Sequence, residues 1–319
     1  MARVIHTAQA LVDEVVEVGG LPRRGGNAVA TSYARYAGGA VNILVAAARS
    51  GADGVLAGSV GTGPNGDLVR TALAAEGVRI SSPVVQALDT GICFVMVEPS
   101  AERTFVTTQG AERHISVDSL QTARPESGDL VCLSGFSLVG RTRDPLLAWL
   151  SGLAAGVVVV LDPGAAFAGL QPDLQTSVLS CTTVWTSNAE EAEQLTGLAA
   201  PRESVAAVAA LLPEGGVAVV RDGAQGCHVH EAGHTAYVAG FPQEPVDTNG
   251  AGDTHTGVLV AERARGADWV AAARRANAAG AIKVTRRGPA TAPTSAEIDS
   301  FLEAQASGVG GPTQSGRGR

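Results

Sequence analysis

The stretch Val246-Asp-Thr-Asn-Gly-Ala-Gly-Asp-Thr254, followed by the apolar run Gly257-Val-Leu-Val-Ala261, concentrates the residue types best suited to chemistry in this chain. Gly250, Ala251 and Gly252 let the main chain approach a ligand closely, and the apolar run after them opens a helix. Unpaired amides at a helix start, reinforced by its dipole, form an anion site that needs no lysine. Asp253 beside that site is kept ionised by the same dipole. A carboxylate next to an anion hole repels a phosphate that is merely bound. The pairing suits a reaction instead, in which a hydroxyl held by Asp253 attacks a phosphoryl group whose developing charge is met by the amides. The plainer reading is an aspartate that caps a helix after a glycine turn.

One count narrows the chemistry further. Lys283 is the only lysine among the 23 basic residues. A Walker A loop, a protein-kinase strand and a pyridoxal enzyme each need a lysine in a defined setting, and Ala281-Ile-Lys-Val-Thr285 fits none of them. Phosphate would therefore be met by backbone amides, arginine and metal. The formal charge of −8 and pI near 5.3 argue against a nucleic-acid partner. Cys93, Cys132, Cys181 and Cys227 are far apart and read as reduced core thiols. Neither a signal-peptide apolar segment after Met1 nor an 18-residue apolar run is present, so a cytoplasmic protein without a membrane partner is expected. With 40 glycines and 4% aromatics, the core must be built from small aliphatics packed closely.

These residues need a frame to position them. Apolar runs at Val55–Val60, Leu130–Leu133, Val157–Leu161, Thr183–Trp185 and Val217–Val220 alternate with amphipathic stretches at Asp67–Glu76, Asp144–Leu153, Leu170–Leu179 and Ala189–Leu195. That rhythm predicts an α/β fold, a Rossmann-like, mostly parallel sheet sandwiched by helices. Leu11–Val18, Ala28–Tyr36, Gly91–Val97 and Arg103–Thr108 alternate as strands instead and predict a small β-sheet lid over the main one, drawn from about 11–36 and 90–108. Asn249–Thr285 reads as nearly all helix, broken at Gly266. A single domain over 1–306 is expected, with a disordered tail over 307–319.

Asp247-Thr-Asn-Gly-Ala-Gly-Asp253 resembles the C-terminal signature of the ribokinase-like (PfkB) family of carbohydrate and nucleoside kinases. Gly38-Gly39-Ala-Val-Asn42 through Arg49-Ser-Gly51 resembles the family's N-terminal substrate motif, Asn188-Ala-Glu-Glu191 its Asn-x-x-Glu motif, and Gly223-Ala-Gln-Gly226 its nucleotide loop. The resemblance implies ATP- and Mg²⁺-dependent phosphorylation of a hydroxymethyl group on a small sugar, polyol or nucleoside. It implies Asp253 as the base, Gly250, Ala251 and Gly252 as the anion hole, and Asn188 and Glu191 near Mg²⁺ through water. Gly223, Gly226 and Asn277 would line the nucleotide site, and Asp13, Gly38, Gly39 and Asn42 would hold substrate hydroxyls. Asp247 would mark a monovalent-cation (K⁺) site that some members carry, and the lid strands would permit a homodimer. Each position also has a bland reading: Asn188 as a helix N-cap with acids behind it, Asn42 as a polar residue at a helix start, Asp13 as a solvated strand residue.

The sequence departs from the family pattern at Leu11, where sugar binders often have Asn, and at Ala37, Gly63, His255 and Val258. These bear on the acceptor pocket and leave the reaction centre intact. Leu11, with Tyr33, Tyr36 and Phe105 in the lid, keeps a nucleoside acceptor open. Two rival readings exist. Gly61-Thr-Gly-Pro-Asn-Gly66 with Asp89 matches a dinucleotide fingerprint and would make an NAD-dependent oxidoreductase. Cys227, His228, His230 and His234 suggest a metal cluster, although two alternating strands around Glu231-Ala-Gly233 account for them better. A non-catalytic sugar-binding protein on the same fold is the remaining alternative; the intact Asp253 and glycine turn argue against it.

Overall fold

The structure is a computed structural model and describes residues 2–100 and 102–307. The main sheet has nine strands in the order β13-β12-β11-β10-β9-β8-β1-β4-β5. Its parallel part comprises β1 (Arg3–His6), β4 (Asp53–Leu56), β5 (Arg79–Ile80), β8 (Leu130–Ser134), β9 (Val158–Asp162), β10 (Val184–Asn188) and β11 (Val217–Arg221). Antiparallel β12 (Gly226–Glu231) and β13 (His234–Ala239) close one edge. Both faces are covered, which explains the unbroken apolar runs. Successive residues of β8 split between two cores: Leu130 and Cys132 go to one, Val131 and Leu133 to the other.

The first core is shared with α1 (Ala40–Arg49), α2 (Pro64–Ala75), α8 (Ala251–Ala264), α9 (Trp269–Val284) and α10 (Ser295–Ala306). The second is shared with α3 (Val117–Gln121), α4 (Arg143–Leu150), α5 (Pro172–Leu179), α6 (Ala189–Thr196) and α7 (Pro201–Ala209). Small residues set the closest approach. A side chain on Gly257 of α8 would strike the Ile43 carbonyl of α1 and come within 2.6 Å of the Ala46 Cβ. Glycine there lets the two helices that carry Asn42 and Asp253 touch.

Four further strands, β2 (Ala10–Val18), β3 (Ala30–Gly39), β6 (Ile92–Val97) and β7 (Arg103–Thr107), form the separate sheet β3-β2-β6-β7. These are the strands expected for the lid, and β6 and β7 pair as a hairpin. The register places Asp13, Val15 and Glu17 on one face with Tyr36, Cys93, Phe105 and Arg103. Tyr33, opposite Val16, lies on the other face, so it cannot serve a site under the lid as the sequence reading supposed. One further expectation needs correction. The strand read over Val55–Val60 ends at Leu56, after which the chain turns into a loop. The tail beyond Ser307 lies outside the described residues.

The rivals are answered by local geometry. The Asp89 carboxylate accepts from the amides of Asn65 (3.0 Å) and Gly66 (2.8 Å) at the start of α2, filling the place a pyrophosphate would need. The histidine run is the hairpin β12–β13: His228 packs on Tyr237 with ring centroids 5.2 Å apart, and His230 Nδ1 lies 2.8 Å from Thr235 Oγ1. No helix among the described residues is long and apolar enough to cross a membrane.

Candidate active site

Parallel strands deliver the residues at their carboxyl ends to one edge of the sheet, where open α/β sheets hold ligands. Here β9, β10 and β11 end on Asp162, Asn188 and Arg221. Beside them stands the N-terminus of α8. Gly250 takes a left-handed conformation (φ 75°) at its start, and a side chain there would lie 2.6 Å from the Pro289 carbonyl. Among the described residues the amides of Gly250, Gly252 and Asp253 have no acceptor, whereas Ala251 donates to the Thr248 carbonyl at 3.2 Å. At the turn where the anion hole is expected, the amides left free are thus those of Gly250, Gly252 and Asp253, while that of Ala251 is engaged.

Asp253 lies in the first turn of α8, and Asn42 Nδ2 donates to its Oδ2 at 2.9 Å. Burial pushes the Asp253 carboxyl up to about 6, with the Asp162 charge adding to the rise while Asn42, Arg221 and Lys283 oppose it. Asn42 Oδ1 is buried without a partner, an acceptor kept for a donor the protein does not supply. Asp13 on the lid completes the group. Its carboxyl is pushed up to about 7 by burial and by the Asp253 charge. Gly38 leaves room for it, since a side chain there would collide with the Asp13 carboxylate. Gly39 starts α1, with φ 62°.

Asn188 and Glu191 form a capping box on α6: Asn188 Oδ1 accepts from the Glu191 amide at 2.7 Å, and Glu191 Oε2 from the Asn188 amide at 3.0 Å. The bland reading of this pair is therefore realised. Glu191 is nonetheless raised by burial and then by the nearby charge of Asp162. Asp162, itself raised by burial, accepts from Thr256 Oγ1 at 3.2 Å and faces Arg221 at 3.8 Å. Arg221 donates to Thr186 Oγ1 (2.8 Å) and Thr256 Oγ1 (3.1 Å) and stands 3.6 Å from where a Gly252 side chain would begin. Sequence reasoning missed Asp162 and Arg221. The available signal was a charged residue directly after each apolar run, the position that ends a parallel strand.

A cleft of about 420 Å³ runs along this edge, lined among others by Asn188, Arg221, Gly223, Gly226, Gly252 and Asn277. Asn277 is a wall residue whose polar ends are spent. Its Nδ2 donates to the carbonyls of Val238 (3.0 Å) and Ala239 (3.2 Å), and its Oδ1 faces His255 Nε2 at 3.1 Å. Burial lowers His255 to about 3, so it is neutral and supplies the proton of that contact. A second cleft lies under the lid, between Val15, Glu17, Tyr36 and Arg103 on one side and Asp247, Asn249 and Gly288 on the other. Pro245 and Thr248 border both clefts, so the loop leading into the Gly250 turn is the partition between them.

Asp247 is fully engaged. Its Oδ1 accepts from the Asn249 amide (2.8 Å) and Arg103 (3.3 Å), its Oδ2 from the Gly288 amide (2.9 Å), and its carbonyl from Lys283 Nζ (2.9 Å).

Two clefts divided by Pro245 and Thr248, a sheet across one of them, and a turn of free amides leading into Asp253 fit a lidded α/β transferase of small molecules. The chain belongs to the pfkB family carbohydrate kinases, whose family model matches residues 6–296. It is similar to a ribokinase of Haemophilus influenzae, 31% identical over 84% of this chain and 87% of that protein. It is similar also to the uncharacterized sugar kinase YegV of Escherichia coli, 29% identical over 92% of each. A ribokinase II from E. coli solved with ATP and Mg²⁺ shares the fold, with TM-score 0.78 and 24% identity over 95% of this chain and 99% of that one. The protein is an ATP-dependent kinase acting on a sugar.

Proposed function

We propose that the chain transfers the γ-phosphoryl group of ATP to a hydroxymethyl group of a small sugar or related polyol, with Asp253 as general base. The observation that carries this reading is the convergence of three features at one point: the buried Asp253 carboxylate, the free amides of Gly250, Gly252 and Asp253, and the unpartnered Asn42 Oδ1. Asn42 and Asp13 hold acceptor hydroxyls, Asn42 also steadies Asp253, and the carboxylate takes the proton of the attacking hydroxyl. The amides and the Arg221 guanidinium meet charge on the transferred group. Gly223, Gly226 and the Asn277 wall shape the nucleotide groove. Residues 1–306 act as one kinase unit, and the lid excludes water from the transfer.

The carboxylates fit a divalent ion. Asp162, Glu191 and Asp253 are all raised by burial, and Arg221 is the cation that opposes each of them. Among the described residues no group of three or more His, Cys, Asp or Glu side chains could hold a metal alone. Mg²⁺ is commonly held by one or two carboxylates together with phosphates, so Glu191, with Asn188 through water, would hold it there. Bound, it would neutralise phosphate charge.

Phe105 favours a nucleoside as the second reading, because it stands half-exposed on the cleft face of the lid and offers an apolar surface to a base. β7 is one of the lid's two outer strands, the other being β3; with Phe105 and Val106 exposed, it is the edge we assign to pairing of two copies. An ADP-release screen with Mg-ATP across pentoses, hexoses, sugar acids, inositols and nucleosides tests the acceptor. Turnover confined to sugars or polyols supports the first reading, turnover confined to nucleosides replaces it, and no acceptor-dependent ADP release would remove both.

A further inference from the structure

The one lysine of the chain sits where nothing in the transfer itself uses it. Lys283, in the last turn of α9, is 0% exposed. Its Nζ donates to the main-chain carbonyls of Asp247 (2.9 Å) and Arg286 (3.3 Å). These carbonyls belong to two loops that converge on the start of α8. The first runs from Asp247 to Gly250, and the second through Gly288, whose amide binds Asp247, to Pro289, whose carbonyl faces Gly250. The first loop is also pinned to the end of α9, where the amides of Val246 and Asp247 both donate to the Val284 carbonyl (2.7 and 3.0 Å). Burial, with Arg103 and Arg286 nearby, pulls the Lys283 ammonium below its ordinary range, and the helix C-terminus, the carbonyl oxygens and the Asp247 carboxylate are what oppose that loss of charge.

Carbonyl oxygens and a carboxylate are also the donors a monovalent metal ion takes, and the resemblance to the kinase family placed such an ion at Asp247. The residues present do not fit it. The Asp247 and Arg286 carbonyls are taken by the ammonium, and both carboxylate oxygens of Asp247 already accept. An added cation would further face Lys283, Arg103 and Arg286, with Asp247 and, more weakly, Asp253 as counter-charges.

We infer that Lys283 is a resident cation: its ammonium takes the place of a monovalent metal ion, ties together the two loops that shape the anion hole, and frees the enzyme from any need for K⁺. It is a positioning residue that touches neither substrate nor phosphate. The inference rests on reading the Gly250–Asp253 turn as the phosphate-holding element. A compact ammonium on a flexible stem suits the task. This gives a physical reason for one lysine in a chain that otherwise uses arginine.

The test compares wild type and Lys283→Met in KCl and in tetramethylammonium chloride at equal ionic strength. Two readouts are used, kcat/KM and the thermal midpoint. Wild type should give the same midpoint in both salts and kcat/KM values within about twofold, since only general screening differs. In tetramethylammonium the variant should lose on the order of 100-fold in kcat/KM, as removal of one anion-hole element typically does. In KCl it should regain about tenfold or more, and its midpoint should rise because the ion binds only the folded form. A wild type that needs K⁺ for activity, or whose midpoint rises with K⁺, overturns the inference, as does a folded variant indifferent to K⁺. Should the variant fail to fold in either salt, the wild-type comparison decides alone. The midpoints require no acceptor, so an error in the assigned reaction would spoil the kinetic readout and leave the thermal one intact.

Discussion

Asp253 and Asp13 are held in environments that disfavour their charge, and both must be charged to do the work proposed for them. The folded Asp253 carboxyl titrates near 6 against 3.8 for the free group, and Asp13 near 7. Their protonation should therefore give kcat/KM an acid limb that sets in as pH falls through about 7 and steepens below about 6, measurable as a pH–rate profile. The same shifts bear on stability with the opposite preference. A carboxyl whose pKa is raised by folding stabilises the folded state below the unfolded value, and that contribution is lost as pH rises through the folded value. Asp253→Asn should then raise stability at pH 8 by on the order of 2–3 kcal/mol and change little near pH 3.5. Denaturant titrations at the two pH values check this; equal effects at both would show that the carboxylate is not strained by its site.

At the scale of elements, the site depends on α1 and α8 touching. Gly257→Ala would set a methyl against the Ile43 carbonyl and the Ala46 Cβ. It should cost about 1–3 kcal/mol in stability. It should also lower kcat/KM, because the helices separate at Asn42 and Asp253; urea unfolding and steady-state kinetics on one preparation would show whether both fall. What was legible in the sequence follows the same logic. α8 announced itself by its glycine turn and apolar run, and the lid strands by their alternation. β1, the strand between β8 and β4, has only four residues with Arg3 and His6 at its ends, too short an apolar run to signal itself. α10 went unread although Thr294 and Glu297 form a capping box whose spacing is visible in the chain. A charge directly after an apolar run marks Asp162 and Arg221 one by one, but only the order of the strands brings the two together.

For the whole molecule, two of the contacts that fasten the lid, both on the cleft beside Asp247, are of unequal weight. Arg103 reaches from β7 to Asp247 (3.3 Å) and Thr248 Oγ1 (2.9 Å) in a partly buried setting. Arg287 meets Glu17 at 3.2 Å with the arginine side chain 77% exposed. Exposed pairs contribute about 0–1 kcal/mol, so Arg287→Ala should leave kinetics and stability nearly unchanged. Arg103→Ala should raise KM for the acceptor and increase ADP release in its absence, since a looser lid admits water to the transfer. ADP release with and without acceptor measures both. Equal behaviour of the two variants would mean that the lid is not held through Arg103. Fold class, the two sheets and the order of the motifs could be read from the sequence because apolar period and turn chemistry are local. The partition of the edge into two clefts could not, since it arises where the lid, α8 and the loop after α9 meet.

Asp253 is proposed as the base of a phosphoryl transfer held by the turn it follows. Steady-state turnover of Asp253→Asn, set against its affinity for Mg-ATP and using the acceptor found by the screen, tests that role. The expected result is a fall in kcat of on the order of 10²–10⁴-fold, typical of losing a general base, with Mg-ATP binding nearly unchanged. A variant that turns over at close to the wild-type rate, or that loses activity only because it no longer binds Mg-ATP, would contradict it.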